Sequence, residues 1–500
     1  MAGTFSKNAR PKRPGAYFNF VVREPEPTLV NSLGTVVIPF THSWGPTEVV
    51  TPLANFGEFL SIFGRGAADL STFTEGYKAV LDAFRGEDVD GRGGAGQVLA
   101  YRMASSSAAA ASKVVDSKIT LTAAWPGSYG QQITYTVTPD ATDTSTHDNL
   151  TIYVEGIEAE RFKYAKTNIT DLAAQINGTS PYSDLTASDW VRGSSVTSGA
   201  AIAAQATQSA LTGGDDGSSN VLASDWTAFM DALAPHRFTL LAPANLTDKT
   251  ILTSLVAWSA NANAKGKRHM LVIGGAAGES FSDAVTGSAS VLGSQAINIP
   301  NVVRLGIGTY VDERYGQVST AQLAPRLAGI LAWRGEALPL TFARLNGLSI
   351  YSGPLANDYE RAMDNGIVVI ARDSHPTAPV RLEEGVTTYL TTTNPGQPKN
   401  IFGNPKFMRS MHGIEMELTE FAEMEVIGLL PVNAGTRDHV RGQMMARLQR
   451  REDAGIILSG WTVNISSDPP PSDLDSFISL DYEVQFGRGL SQILNNVTVG

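Results

Sequence analysis

Apolar and polar positions alternate in short runs towards both extremities of the chain, and a period of two predicts β-strands there. Residues 477–486 (FISLDYEVQF) and 495–499 (NNVTV) form such runs near one end, and residues 16–22 (AYFNFVV) near the other. A lone strand is unstable in water and presents unpaired N–H and C=O groups. Each run therefore needs a partner, either inside its own domain or on another copy of the chain. The side chains expected to mediate that pairing are Tyr17, Phe18, Phe20 and Val22 at one end, and Val484, Phe486, Val497 and Val499 at the other.

Between the ends the period changes several times. Residues 23–28 hold Pro25 and Pro27 and read as an extended linker. A strand at 34–40 (GTVVIPF) is followed by a turn at Trp44-Gly45-Pro46 and helical spacing over 56–63 and 75–84, the latter placing Tyr77, Val80, Leu81 and Phe84 on one face. A glycine-rich loop (91–96) leads into a strand at 97–103. From about Ser105 the chain becomes rich in Thr and Ser, with alternating strands at 118–122, 132–138 and 150–154, which marks an inserted β-rich domain over 112–212. Helical and strand patterns then alternate. Helices at 226–233, 248–262, 321–333 and 355–365 are interleaved with strands at 237–241, 269–273, 302–307 and 366–371. Such alternation predicts a mostly parallel sheet covered by helices. Two further helices (407–427 and 437–451) and the strands 456–465, 477–486 and 495–499 complete the chain. The resulting division is an arm and linker (1–27), a first part of the core (28–111), the insert (112–212), a second part of the core (213–380) and an α+β C-terminal domain (381–500).

With 500 residues the chain is too long for a single core. The absence of cysteine excludes disulfides and thiolate metal sites, so stability must come from burial and assembly. No run approaches the roughly 20 apolar residues of a membrane span, and the first residues lack the apolar stretch of a secretory signal. A net charge of −11 argues against nucleic acid as a partner. Residues 1–23 are the local exception, with Lys7, Arg10, Lys12, Arg13 and Arg23 and no acid. They read as a solvated tail or as an arm for an acidic surface.

Catalytic patterns are thin. The nearest approach to a phosphate-binding loop, 274–280, carries Glu279 where a lysine is required. No G-x-S-x-G elbow or H-E-x-x-H pair occurs. Gly178-Thr179-Ser180 has a nucleophile-like form but lies in the β-rich insert. Asp215-Asp216-Gly217 lacks EF-hand spacing and reads as a turn. Glu415, Glu417, Glu420, Glu423 and Glu425 make an acidic stripe on one predicted helix. Arg441, Arg447, Arg450 and Arg451 make a basic counterpart on the next, facing either that stripe or an acidic partner protein. No cofactor or metal is required.

Several motifs, in order, resemble the contractile tail sheath proteins of bacteriophages and related injection particles. Residues 13–17 (RPGAY) are similar to the family's "PGVY" arm, 34–45 (GTVVIPFTHSWG) to its first core strand and turn, and 84–103 to its "FF-NGG-YVVRV" unit with a longer loop. Residues 125–137 (WPGSYGQQITYTV) resemble the opening of the insert of larger sheaths. Residues 340–390 give the strongest match, from LTFARLNG through AMDNGIVVI to GVTTY. Residues 427–437 resemble "IGKVNN…R". Residues 484–494 resemble a "VQPVDxxEKIY" hinge, with Phe486 replacing the usual Pro and Gly489 the usual Met or Ala.

The resemblance implies a multidomain α/β fold. It would have a subtilisin-like core without protease activity, the β-rich insert, and a C-terminal domain completed by strands from neighbouring subunits. It further implies a six-fold helical sheath around an inner tail tube, with baseplate and tail terminator proteins as further partners, and a location in a virion tail or a cytoplasmically assembled contractile particle. Direct membrane insertion and nucleic-acid binding are not expected. The competing readings are an α/β hydrolase or protease with an unrecognised site, and a surface adhesin built on the Thr-rich insert.

Overall fold

The computed structural model describes residues 34–66, 73–87, 93–181, 186–196, 199, 201–353, 358–372, 379–390, 399–467, 471–474 and 476–487. The expected strands at 16–22 and 495–499, with Tyr17, Phe18, Phe20, Val22, Val497 and Val499, and the 23–28 linker lie outside the described residues.

Alternation within the first strand, Thr35–Phe40, organises the core. Val36, Ile38 and Phe40 point to one side of the sheet, where they pack with Ala79, Val80 and Ala83 of helix Glu75–Arg85 and with helix Thr320–Arg334. Val37 points to the other side, against Phe229, Leu252, Leu255 and Val256 from helices Ala223–Ala232 and Lys249–Ala264. Both faces are thus buried, as a parallel sheet requires. The sheet has seven strands in the order Ile367–Val368, Val302–Leu305, Met270–Ile273, Leu240–Leu241, Thr35–Phe40, Gln97–Arg102, Val50–Leu53. Every neighbouring pair is parallel except the last, where Val50–Leu53 runs antiparallel along the edge.

The glycine-rich loop exists because the backbone folds back on the end of helix Glu75–Arg85. Gly86 has φ +49°, and a Cβ on Gly94 would collide with the Phe84 carbonyl. Beneath this turn lies a buried charge cluster. Asp312 Oδ2 accepts from Arg85 Nη1 at 2.9 Å and lies 3.6 Å from Arg326 Nη1, while both arginines also donate to the Asn346 carbonyl. Asp312 sits on Thr309–Asp312, the central strand of a small sheet with Gly316–Ser319 and Leu348–Ser352 that the sequence reading did not anticipate. The cluster pins that sheet to the two helices.

Residues 112–212 contain two antiparallel sheets, one of four strands and one of three, and helix Ile169–Ile176 capped by Asn168. Their core holds Ile119, Leu121, Ile133, Val137, Leu150 and Ile152, and also Trp44 from the turn after the first strand. Trp44 stacks on Trp190 with ring centroids 5.7 Å apart. Arg102, wholly buried at the end of its strand, donates to the carbonyls of His42 (2.7 Å), Gly45 (2.6 Å) and Pro126 (2.8 Å), joining residues 112–212 to the turn after the first strand.

Some boundaries differ from expectation. The predicted 407–427 helix is α-helical over Pro405–Phe421 and then widens to a π-turn, Ala422–Val426. The predicted strand at 366–371 divides: Ile367–Val368 stays in the central sheet, and Ile370–Arg372 leaves to pair with Val380–Leu382. Of the predicted 477–486 strand, Leu480–Glu483 forms a ladder with Thr462–Ile465, and Phe486 bridges Ile457.

Removing one partner of a buried ion cluster leaves uncompensated charge at a cost of roughly 3–5 kcal/mol. Asp312→Ala is expected to lose about that much in denaturant unfolding. Arg161→Ala, which breaks the exposed Arg161–Glu158 pair, should leave the midpoint unchanged.

Candidate assembly site

Helix Pro405–Phe421 joins two cores. Its first half is embedded in the α/β body, where Met408 joins the main apolar cluster and Arg409 caps the Thr320–Arg334 helix by donating to the Leu331 and Gly335 carbonyls. Its second half carries a separate core, in which Phe421 packs with Val440, Met444 and Leu448 of helix Ala434–Asp453 and with Ile456, Ile457 and Val463. The i, i+4 spacing of Val440, Met444 and Leu448 is readable in the sequence and marks this face.

A groove of about 1060 Å³ opens beside that core. Its floor is Ile414 and Leu418 from one helix and Val440 and Met444 from the other. Its wall is the inward side of the last described strand, with Leu480, Tyr482, Val484 and Phe486. On one side Leu480–Glu483 pairs with Thr462–Ile465, in a register that sets Tyr482 opposite Val463. Its other edge has no strand partner among the described residues. Val463 is buried over the helices, while Tyr482 leaves 42% of its surface exposed. A ladder edge, an apolar floor and an apolar wall thus meet in one open channel. Of the expected pairing residues, the channel brings Val484 and Phe486 together.

The four arginines divide. Arg447 Nη2 lies 3.3 Å from Glu425 Oε1, with its guanidinium 4.0 Å from the Phe421 ring centroid. Arg450 and Arg451 both pair with Glu417, at 3.3 and 2.9 Å, and Arg451 also pairs with Glu336. Arg441 instead meets Asp438 on its own helix at 3.4 Å. The acidic stripe also reaches the α/β body, through Glu415 to Arg268 and Glu420 to Arg237. Desolvation raises the Glu336 pKa above the usual range, against the opposing pull of Arg451.

A serine–histidine pair that the sequence reading missed lies elsewhere. Ser259 Oγ is 2.9 Å from His269 Nε2, Asn301 Nδ2 donates to Ser259 Oγ at 3.0 Å, and His269 Nδ1 lies 2.9 Å from the Lys267 carbonyl. Serine and histidine come from adjoining elements, so a spacing search across the chain would not flag them. The geometry is that of a nucleophile and base, yet Ser259 is 0% exposed. The imidazole lies against the rings of Phe238 and Trp258. Burial, the main cause, lowers the His269 pKa to about 4. Ser180, in the nucleophile-like tripeptide, donates to Asp171 at 2.6 Å. Among the described residues there is no cluster of metal-ligating side chains, and no helix is long and apolar enough to cross a membrane.

No family model matches the chain. In sequence, 188 residues are 24% identical to the tail sheath protein of Bacillus phage SP01, covering 37% of this chain and 31% of that protein. The match thus spans about a third of the length of that relative. Solved structures match over far more of the chain. The sheath tail protein of Desulfitobacterium hafniense superposes with a TM-score of 0.70 at 17% identity, over 94% of this chain and all of that one. The sheath tail protein of Listeria innocua gives 0.64 at 18%, over 91% and 95%. The helical sheath of the anti-feeding prophage, in its contracted state, gives 0.53 at 13%, over 98% and 99%.

Buried neutral histidines set a pH dependence. His42 and His412 are lowered to about 3, and His269 to about 4, all chiefly by desolvation. A base held below its unfolded value stabilises the fold fully above that value and loses the contribution as pH falls. Unfolding free energy is therefore expected to drop as pH is lowered from about 6.5 towards 4. His269→Gln should flatten part of that slope in urea titrations at pH 7, 6 and 5. The chain has the tail sheath fold.

Proposed function

We propose that the chain is the structural subunit of a contractile tail sheath. It polymerises around an inner tail tube and shortens to drive that tube through a target envelope. The observation that carries this reading is the open channel of the C-terminal unit, joined to the tail sheath fold. A strand edge without a partner among the described residues, over an apolar floor, suits an added strand, whose main-chain bonds extend the ladder and whose alternate side chains fill the channel. The strand patterns at 16–22 and 495–499 are the natural occupants, supplied by adjacent copies of the chain.

The division into arm, split core, insert and C-terminal domain is part of the same reading, and so is a subtilisin-like topology for the core. The parallel sheet with helices on both faces supports it. Head-to-tail lending of strands is heterologous, so subunits continue into a helix, six around each turn of the sheath. Contraction is a rigid-body rearrangement in which larger side contacts replace smaller ones while the strand tethers persist. The energy comes from interfaces and no cofactor is consumed. Partners are other copies of the chain, the tube protein, and baseplate and terminator proteins. The location is a virion tail or a particle assembled in the cytoplasm.

Catalysis has no role in this reading, because a substrate cannot reach Ser259. Serine-reactive probes are expected to leave the folded chain unlabelled, and labelling at Ser259 would favour the hydrolase alternative. Electron microscopy of the purified chain is expected to show tubular polymers. A chain lacking residues 1–22 should remain soluble and monomeric in sedimentation, and unchanged polymerisation of that truncation would overturn the strand-lending reading. Val484→Lys, which puts a charge in the channel wall, should also suppress tubes while leaving the circular dichroism spectrum intact.

A further inference from the structure

The channel has two candidate occupants, the runs at 16–22 and 495–499, and its rim carries a charge that tells them apart. Side chains alternate along the last described strand. Leu480, Tyr482 and Val484 line the channel, so Asp481 and Glu483 stand on the opposite, outer face of the ladder. Both are exposed, and neither has an ion pair among the described residues. Their cross-strand neighbours, Asn464 and Thr462, are uncharged. The arginines of the adjoining helix are committed elsewhere. Arg437 pairs with Asp473, Arg441 with Asp438, Arg447 with Glu425, and Arg450 and Arg451 with Glu417. Lys406 donates to the Gly487 carbonyl. Two uncompensated carboxylates therefore stand beside an edge that has no strand partner among the described residues.

The two runs differ in what they bring to that face. Residues 1–23 hold Lys7, Arg10, Lys12, Arg13 and Arg23 and no acid, whereas residues 495–499 hold no charge. The period of two sharpens the contrast. If Phe18, Phe20 and Val22 fill the channel, then Tyr17, Asn19, Val21 and Arg23 fall on the outer face. With Val497 and Val499 inward, the outer positions are Asn496 and Thr498. Only the first arrangement sets a cation against the carboxylates, and opposite charges across a ladder favour pairing.

We propose that Asp481 and Glu483 are specificity determinants that direct the open edge to the 16–23 run of another copy, with Arg23 set across from them. The inference rests on the strand-lending reading and names which of the two runs this edge takes. The carboxylates act in two ways. They draw in the basic arm before contact, and they repel acidic strands that an exposed edge would otherwise accept.

Fluorescence anisotropy tests this on the intact chain, kept below the concentration at which light scattering detects assembly. The probes are labelled peptides of residues 10–23 and 489–500 with blocked ends. The first is expected to bind about tenfold tighter at low ionic strength, an advantage that shrinks as salt screens the charges. Asp481→Asn with Glu483→Gln should erase the preference, and Asp481→Lys with Glu483→Lys should turn it against the basic peptide, with an unchanged circular dichroism spectrum. Arg23→Glu in the full chain should weaken tube assembly, and its combination with the double lysine variant should recover part of the loss. Equal binding of the two peptides, or a preference that survives the neutral variant, would overturn the selection and leave strand lending standing. Tighter binding of residues 489–500 would assign the edge to the other run and overturn it as well. If neither peptide binds, strand lending itself fails, and the selection with it.

Discussion

A two-stranded ribbon cannot cover two amphipathic helices. That constraint governs the C-terminal unit, where, among the described residues, Val440, Met444 and Leu448 are buried but Ile414 and Leu418 of the facing helix are only partly covered beside Thr462–Ile465 and Leu480–Glu483. Isolated hairpins are marginal in water, and partly covered apolar surface adds to the cost. The unit is tied to the α/β body by helix Pro405–Phe421, whose two halves belong to different cores. Under the strand-lending proposal, a strand gained in the channel would load the α/β body through helix Pro405–Phe421.

Inside the body, arginine does much of the joining. Arg102, Arg326 and Arg409 each reach backbone carbonyls of distant segments, and each is almost wholly buried. A planar guanidinium donates to several carbonyls at once, so a single side chain fixes several loop ends. These joints add polar links between the central sheet, residues 112–212 and helix Pro405–Phe421 to the apolar contacts of Trp44 and Met408. They help to hold the separate hydrophobic clusters together.

Patterning made much of this visible. The apolar run in 34–40 and the helix–strand succession after 213 foretold the central sheet, because burial on both faces leaves long apolar runs. The sheet of Thr309–Asp312 was not foreseen, since its strands are short and its inward residues include Asp312, whose burial depends on Arg85 more than two hundred residues away. The channel was half legible. Ile414, Leu418 and the 477–486 run point to an apolar face, but which edge stays open is decided by the pairing of Tyr482 with Val463. The partners of Arg447, Arg450 and Arg451 depended on how two helices lie together, which helical spacing alone does not specify. The Ser259–His269 pair was invisible because it depends on how helix Lys249–Ala264 packs on the segment leading into Met270–Ile273.

Trp44 belongs by sequence to the turn after the first core strand, yet it lies inside the hydrophobic cluster of residues 112–212, against Trp190 and Tyr129. Residues 112–212 are thus not a detachable module. Excising it would leave a bare indole on the remaining protein, and expressing it by itself would leave a hole where that ring belongs.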